Sequence, residues 1–267
     1  MSRQSFLIRY LENGHFKTDE EILRIINWNV RNPSYQRAIR QCKYIEKLNP
    51  HVILLTELKS INGLNYFKEK LLYWGYKLFY DLPKSNDYFV LIASIFEACE
   101  MPIKADFLPH RMKMLEIKSK KFDGKFIGLY VPSRGPIERR NIDKREFQES
   151  VVKILDKLEK RGEEMKLIAG GDLNVIDPSH VPKYTVFGDW EFEFYEKFIN
   201  IGLIDAFKSV NFHQDYSWFG REGDGYRFDH LFVSSDLKDK IKRCYYEHSV
   251  RENNLSDHSA MVLELEL

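Results

Sequence analysis

Cysteine is scarce: three residues in 267, Cys42, Cys99 and Cys244, widely spaced and without a Cys-x-x-Cys or Cys/His ligand pattern. An odd, scattered set argues against a disulfide framework and against a structural zinc site. Long apolar runs are missing as well. No stretch of about 18 consecutive apolar residues occurs, and the first twenty residues carry interspersed charges, so neither a spanning helix nor a secretory leader is expected. The expectation is an intracellular, cytoplasmic protein without a membrane partner. Excess charge of one sign is absent too: 41 Lys plus Arg stand against 40 Asp plus Glu, a net charge of +1. No overall field advertises a polyanionic partner, and attraction to nucleic acid would have to be local.

What is present is a soluble, globular composition, 43% hydrophobic and 30% charged, with no repeat or proline-rich linker. Short apolar runs recur from residue 23 to the end, which predicts one domain over 23–267 preceded by an extension over 1–22. A monomer is the separate expectation. Leu23–Val30 reads as a strand ending at Asn32-Pro33. Ile39, Cys42, Ile45 and Leu48 form the apolar stripe of a helix that Asn49-Pro50 stops, and Val52–Thr56 reads as a buried strand, giving a strand–helix–strand crossover. Further strands are expected at 76–80, 88–95, 112–117, 125–131, 166–169, 229–233, 244–247 and 260–267, and helices at 143–160 and 192–201. The fold class is then α/β (α+β): a sandwich of two packed, mainly antiparallel sheets flanked by helices.

Polar residues collect at strand ends, where a rigid scaffold carries function. Asn29 and Arg31 follow the first strand, Glu57 follows Leu54-Leu55-Thr56, and Asp172 and Asn174 follow Ile168-Ala169-Gly170-Gly171. Asp229-His230 opens a late strand and Asp257-His258 precedes the last. Carboxylates, carboxamides and a histidine supplied by separate strands suit a hard cation such as Mg²⁺ or Mn²⁺ beside a proton-transfer partner. An Asp or Asn after a strand is equally what a turn uses. Glu57 is harder to explain that way, since an apolar run draws it inward. In Gly170-Gly171-Asp172-Leu173-Asn174 the glycines permit close backbone approach, and Asp172 and Asn174, two apart, would share one face of an extended segment.

The order of these elements resembles the endonuclease/exonuclease/phosphatase superfamily, in particular its exonuclease III-like and AP-endonuclease-like members. The resemblance rests on Trp28-Asn29-Val30, Thr56-Glu57-Leu58-Lys59, Leu129-Tyr130-Val131-Pro132-Ser133, Gly170-Gly171-Asp172-Leu173-Asn174, Tyr226-Arg227-Phe228-Asp229 and Ser256-Asp257-His258-Ser259, all in order. It implies a four-layer α/β sandwich and a metal-dependent phosphodiesterase acting on nucleic acid, DNA before RNA, as a 3′–5′ exonuclease or an endonuclease. The alternative it leaves is a phosphatase or phosphodiesterase for a lipid or small soluble phosphate. By the same resemblance Glu57 holds the divalent metal with Asn29 and Asp257 close by, and Asp172 orients or deprotonates the attacking water. Asn174 and Tyr130 bond the phosphate, and His258 is paired with Asp229. Tyr130 as a core tyrosine and His258 as a satisfied buried histidine are the plainer readings of those two.

Three departures bear on substrate. Arg31 stands where exonuclease III-like members usually have Asn or Asp, which suits a phosphate contact or a solvated loop charge. Lys84–Ser94 lacks the Lys-x-Tyr-x-Gly-Val-Ala pattern of AP endonucleases, and Tyr-Val-Pro is followed by Ser133 instead of Asn; abasic-site specificity stays open. From Met101 to Arg145 there are twelve Lys/Arg against five Asp/Glu, a local excess able to contact a polyanion or simply to solvate a β surface. Arg134, Arg139 and Arg140, just after Tyr130, are the better candidates within it. The aromatics and arginines from Trp218 to Arg227, including Tyr226, would stack a base or else pack a loop.

Overall fold

The computed structural model describes residues 21–59, 62–120, 122–135, 138–160 and 166–266, with the side chains of 138 and 139 outside that description. The expected extension therefore lies almost wholly outside the described residues. In chain order the elements are β1 (Ile22–Asn29), α1 (Tyr35–Leu48), β2 (Val52–Leu58), α2 (Asn62–Tyr73), β3 (Lys77–Phe79), β4 (Phe89–Ser94) and β5 (Glu97–Glu100). They continue with β6 (Met112–Lys118), β7 (Asp123–Tyr130), α3 (Glu138–Lys160), β8 (Leu167–Asp172), α4 (Asp189–Asn200), β9 (Leu203–Asp205) and α5 (Ala206–Val210). Last come β10 (Trp218–Phe219), β11 (Gly225–Tyr226), β12 (Asp229–Ser234), β13 (Ile241–Glu247), α6 (Ser249–Glu252) and β14 (Ala260–Glu266).

Two six-stranded sheets form, ordered β13-β14-β1-β2-β4-β3 and β5-β6-β7-β8-β12-β9. Each holds one parallel pair at its centre, β1/β2 and β7/β8, and every other pairing is antiparallel. A parallel neighbour needs a long crossover, and α1 and α3 supply the two. Helix α1 is bounded as its sequence suggests: Ser34 accepts from the Arg37 N–H at 3.3 Å, and Asn49 closes the helix at φ 49°, its N–H on the Ile45 carbonyl.

Side-chain alternation explains the layers. Leu23, Ile25, Val52, Leu54, Val90 and Ile92 of the first sheet meet Leu115, Ile117, Phe126, Ile168, Leu231 and Val233 of the second in a central core. The opposite faces bury Ile26, Trp28, Ile53 and Leu55 under α1 and α2, and Met114, Ile127, Ala169 and Phe232 under α3 and α4. Strands covered on both faces read as unbroken apolar runs, so the result is the expected four-layer α/β sandwich.

Sequence reading missed α2, whose Leu64, Phe67 and Leu71 face the core behind an Asn-Gly pair that reads as a turn. It also missed the short β5, β9, β10, β11, α5 and α6. Helix α3 starts at Glu138, five residues before its expected start. The basic run needs the larger correction: Arg111, Lys113, Lys125 and Lys144 are all buried. Lys113 is held by Asp81 and Glu100, each at 2.7 Å, and Arg111 by Asp87 at 2.6 Å. Much of the local excess therefore points inward, and acids from elsewhere in the chain neutralise it.

Candidate active site

The ends of the two parallel pairs meet at one rim of the sandwich. On β1 the residues facing the central core alternate as Leu23, Ile25, Asn27 and Asn29, so two carboxamides take positions that burial would reserve for apolar side chains. The same alternation brings Tyr130 to the inner end of β7, Asp172 to that of β8 and Asp229 to the start of β12. Register places Tyr130 opposite Asp172 and Asp172 opposite Asp229.

Glu57 arrives differently. Continued alternation would put it with Ile53 and Leu55 under the helices, but the β2/β4 register shifts between Leu55 and Leu58, and Glu57 itself has φ 58°. A bulge with a left-handed residue re-aims a side chain, and the carboxylate comes to lie 3.0 Å from Asn29 Nδ2 and 3.4 Å from the Tyr130 hydroxyl. Asn29 Nδ2 donates also to Asp172 Oδ2 at 2.8 Å, bridging the two acids. His258 Nδ1 lies 2.8 Å from Asp229 Oδ2, and Asn27 Nδ2 is 3.4 Å from the other Asp229 oxygen. Ser256 joins this side to the first strand, its Oγ donating to the Asn29 carbonyl at 2.6 Å and accepting the His258 N–H at 3.2 Å.

The two glycines before Asp172 are required by contact. A Cβ at Gly170 would sit 2.0 Å from the His230 carbonyl oxygen, and one at Gly171 1.9 Å from that of Leu129, where φ is also 145°. Gly171→Ala should therefore destabilise the fold by about 1–3 kcal/mol or more, read as a lowered urea midpoint; an unchanged midpoint would contradict the packing. Asp172 and Asn174 do not share an extended segment, which corrects the sequence reading. Asn174 turns at φ 50°, its N–H donates to Asp172 Oδ1 at 3.1 Å and its Nδ2 to the Val131 carbonyl at 3.0 Å.

No family model matches the chain. It is 26% identical over 252 residues to a DNA-(apurinic or apyrimidinic site) endonuclease of Dictyostelium discoideum, covering 85% of this chain and 66% of that protein, just under two thirds of its length. It is 25% identical over 241 residues to an exodeoxyribonuclease of Bacillus subtilis, covering 82% and 91%. Among solved structures, an AP endonuclease from Archaeoglobus fulgidus superposes with a TM-score of 0.75 at 20% identity, over 92% of this chain and 100% of that one. The 3′ phosphatase NExo from Neisseria, bound to product DNA hairpin, gives 0.74 at 20% identity over the same shares. These similarities support an exonuclease III-like member of the endonuclease/exonuclease/phosphatase superfamily.

Burial sets the electrostatics of the rim. It pushes the Glu57 carboxyl up, against the Asn29 hydrogen bond and the His258 charge. Asp172 is likewise raised, by burial first and by Asp229 as well, with His258 opposing. Burial alone would lower His258, but the Asp229 and Asp172 carboxylates together raise it to about 10, so the imidazole is a cation at neutral pH. Asp172, Asp229 and His258 offer ligand atoms within 4.8 Å of one another, yet His258 Nδ1 is committed to Asp229. Glu57 differs: among the described residues it makes no ion pair, and its partners are a carboxamide and a phenol. A half-buried carboxylate so placed fits a hard divalent cation; the Asn29 oxygen itself accepts from the Arg31 N–H at 2.9 Å.

The remaining residues singled out in the sequence surround this rim. Arg31 is half exposed, 3.5 Å from Asp257, in a turn at φ 53° whose carbonyls accept from Arg37. Ser133, Arg140, Tyr130 and Arg111 line a cavity of about 380 Å³, where the Arg111 guanidinium lies 4.7 Å from the Tyr130 ring centre. Arg134 is bound to Glu191 at 2.5 Å, and the side chain of Arg139 lies outside the described residues. Trp218 and Tyr226 pair across the β10/β11 hairpin. Tyr226 stacks on Tyr184 at 4.3 Å and on Phe228 at 5.1 Å, while Trp218 bridges to His258. Arg227, between them, is buried and ion-paired with Asp177 and Asp205, so it does not face a substrate. Asn27 and Lys144 escaped sequence reading, although each is a polar residue on an otherwise apolar stripe and so carried a signal.

Proposed function

We propose that the chain is a divalent-metal-dependent phosphodiesterase that cleaves DNA, with Mg²⁺ or Mn²⁺ as the ion, and that it leaves a 3′-hydroxyl. The observation that carries this reading is the convergence of Asn29, Glu57, Asp172 and the Asp229–His258 pair at one rim. Support comes also from the names of the two curated relatives, a DNA endonuclease and an exodeoxyribonuclease. In this reading Glu57 and Asn29, with Asp257 beside them, hold the metal. Bound there, a divalent cation polarises a phosphoryl oxygen and offsets charge that develops on it.

Asp172 acts as the base. Burial raises its proton affinity, and Asn29 and the Asn174 N–H fix one oxygen each, so the carboxylate is oriented to take a proton from the attacking water. The water oxygen bonds to phosphorus as the bond to the 3′ oxygen breaks, and that oxygen leaves as an alkoxide that takes a proton from solvent water to become the 3′-hydroxyl. His258, held cationic by Asp229, donates through Nε2 to the phosphoryl oxygen as negative charge builds. Tyr130 and Asn174 hold the phosphate. Arg31, Ser133, Arg140, Trp218 and Tyr226 are the proposed contacts to flanking strand and bases. A cytoplasmic location and a monomeric state belong to the same proposal.

The test is a panel of labelled single-stranded, duplex and abasic DNA with Mg²⁺ or Mn²⁺, run beside Glu57→Ala. Cleavage by the wild type and none by a folded Glu57→Ala variant is the expected outcome; intact DNA throughout would overturn the reading. The inward-facing cations favour a modest footprint, so salt should weaken cleavage less steeply than the basic run in the sequence implies. Activity confined to small soluble phosphates, with no salt dependence, would favour the phosphatase alternative.

A further inference from the structure

Two strand ends and the loops that follow them carry the proposed chemistry, Tyr130 of β7 with Ser133 beyond it, and Asp172 of β8 with Asn174 beyond it; Arg134 lies in the first of these loops. Both are tied to one buried charge from the outer helix layer. Lys144 of α3 is fully buried, and its Nζ donates to the Asn174 carbonyl at 2.7 Å and to Glu191 Oε1. Glu191, in the first turn of α4 and equally buried, accepts through Oε2 from Arg134 at 2.5 Å and from the Gly188 N–H at 2.9 Å. The rings of Phe187 and Trp190 lie 5.9 and 5.8 Å from Nζ.

A buried ion pair is a poor way to add stability, since desolvation offsets most of its attraction. Its geometry explains it better. Asn174 sits at φ 50°, a left-handed conformation that asparagine adopts more readily than other non-glycine residues, and its surroundings hold it there. Three bonds do so: N–H to Asp172, side chain to Val131, carbonyl to Lys144. Only the last comes from outside the two loops. It connects through Glu191 to Arg134, so one ammonium fixes the second loop directly and the first through a shared carboxylate.

We propose that Lys144 is a positioning residue of the hydrolytic centre, which through the Asn174 carbonyl and the Glu191–Arg134 pair holds the Asp172 and Tyr130 loops in register without touching substrate. The proposal rests on the hydrolytic reading given above.

Lys144→Met leaves Glu191 with one cation fewer and the Asn174 carbonyl without its donor, and should lower both melting temperature and kcat. Lys144→Met/Glu191→Gln removes the fully buried carboxylate that has lost its ammonium and leaves only the partly exposed Arg134 to be solvated, so its melting temperature should return toward wild type. Its kcat should stay lower by about 10²-fold, the scale of a small misplacement of reacting groups, with KM little changed. Hydrogen exchange should show the Asn174 amide opening faster in the double variant while amides within β8 exchange as in wild type. Recovery of wild-type kcat along with stability, or unchanged exchange at Asn174, would overturn the positioning role. If the wild type cleaves no DNA, the hydrolytic reading fails and the exchange measurement still decides whether Lys144 holds the loop.

Discussion

Replacing Asp229 by Asn should lower the hydrolytic rate by about 10²–10⁴-fold, the range expected when a positioned acid–base group loses its partner, and should narrow the pH range of what activity is left. The cause is the pair at 2.8 Å. Buried His258 would be driven toward the neutral form, and it is held as a cation, up to about pH 10, chiefly by Asp229 with help from Asp172. A neutral Asn removes the larger of these opposing charges, and the imidazole falls toward or below the ordinary histidine value of about 6.5. Since the cation is the working form, wild-type activity should persist to alkaline pH, whereas the variant should lose its remaining rate as pH rises through neutrality. A pH–rate profile of both proteins, with melting temperatures as a control on folding, checks this. An alkaline limb that stays where it was in the wild type would remove His258 from the mechanism.

The largest effect on stability should come from Arg227→Met. The guanidinium lies 3.0 Å from Asp177 and 2.8 Å from Asp205, all three side chains are buried, and Asp205 also accepts from the Tyr195 hydroxyl at 2.7 Å. Removing the cation leaves buried Asp205 without its guanidinium and Asp177 with Lys208 alone, at 2.8 Å, and breaking such a cluster costs about 3–5 kcal/mol, a large share of the 5–15 kcal/mol by which a domain is typically stable. Urea unfolding gives the number. The pH dependence gives the cause. Burial alone would raise both carboxyls, but Arg227 and the local hydrogen bonds hold them well below the usual carboxylate range. Groups whose folded value is depressed stabilise fully above the unfolded value of about 4, and that stabilisation is lost as pH falls toward the folded value. In the variant burial weighs more heavily, most of all on Asp205, whose largest opposing charge is Arg227, while Lys208 still holds Asp177 down. The stability gap between wild type and variant should therefore shrink from about pH 6 to about pH 3. A gap that stays constant would mean that the loss comes from packing alone.

Arg227 also shows where residue type misleads. Flanked by Tyr226 and Phe228, it reads in the sequence as part of an aromatic, basic surface loop, yet its charge is spent on Asp177 and Asp205, which lie 50 and 22 positions earlier in the chain. The run from Met101 to Arg145 misleads in the same way. Which acid neutralises Lys113 or Lys144 depends on pairings between distant segments, and the lysines alone carry no trace of Asp81 or Glu191. Local charge counts measure supply along the chain, whereas a field acts through space.

By itself the sequence determined the layers and the inventory of candidate site residues. Runs apolar on both faces require covered sheets, the Ile39–Leu48 stripe and the Asn49 stop make the first crossover, and Asn29, Glu57, Asp172, Asp229 and His258 stand at strand ends in a recognisable order. These features are local, set by period, burial and backbone conformation within a few residues. Tertiary structure alone decided which way each group faces and what it meets. Strict alternation points Glu57 toward the helices, and only the bulge in β2, formed where β2 pairs with β4, turns it to Asn29. Asn174 follows Asp172 by two residues but turns away from the strand, held from a helix layer by Lys144. Both outcomes depend on partners distant in sequence, because a single reversed residue or a buried counter-charge is stable only where the rest of the fold supplies the contacts that hold it.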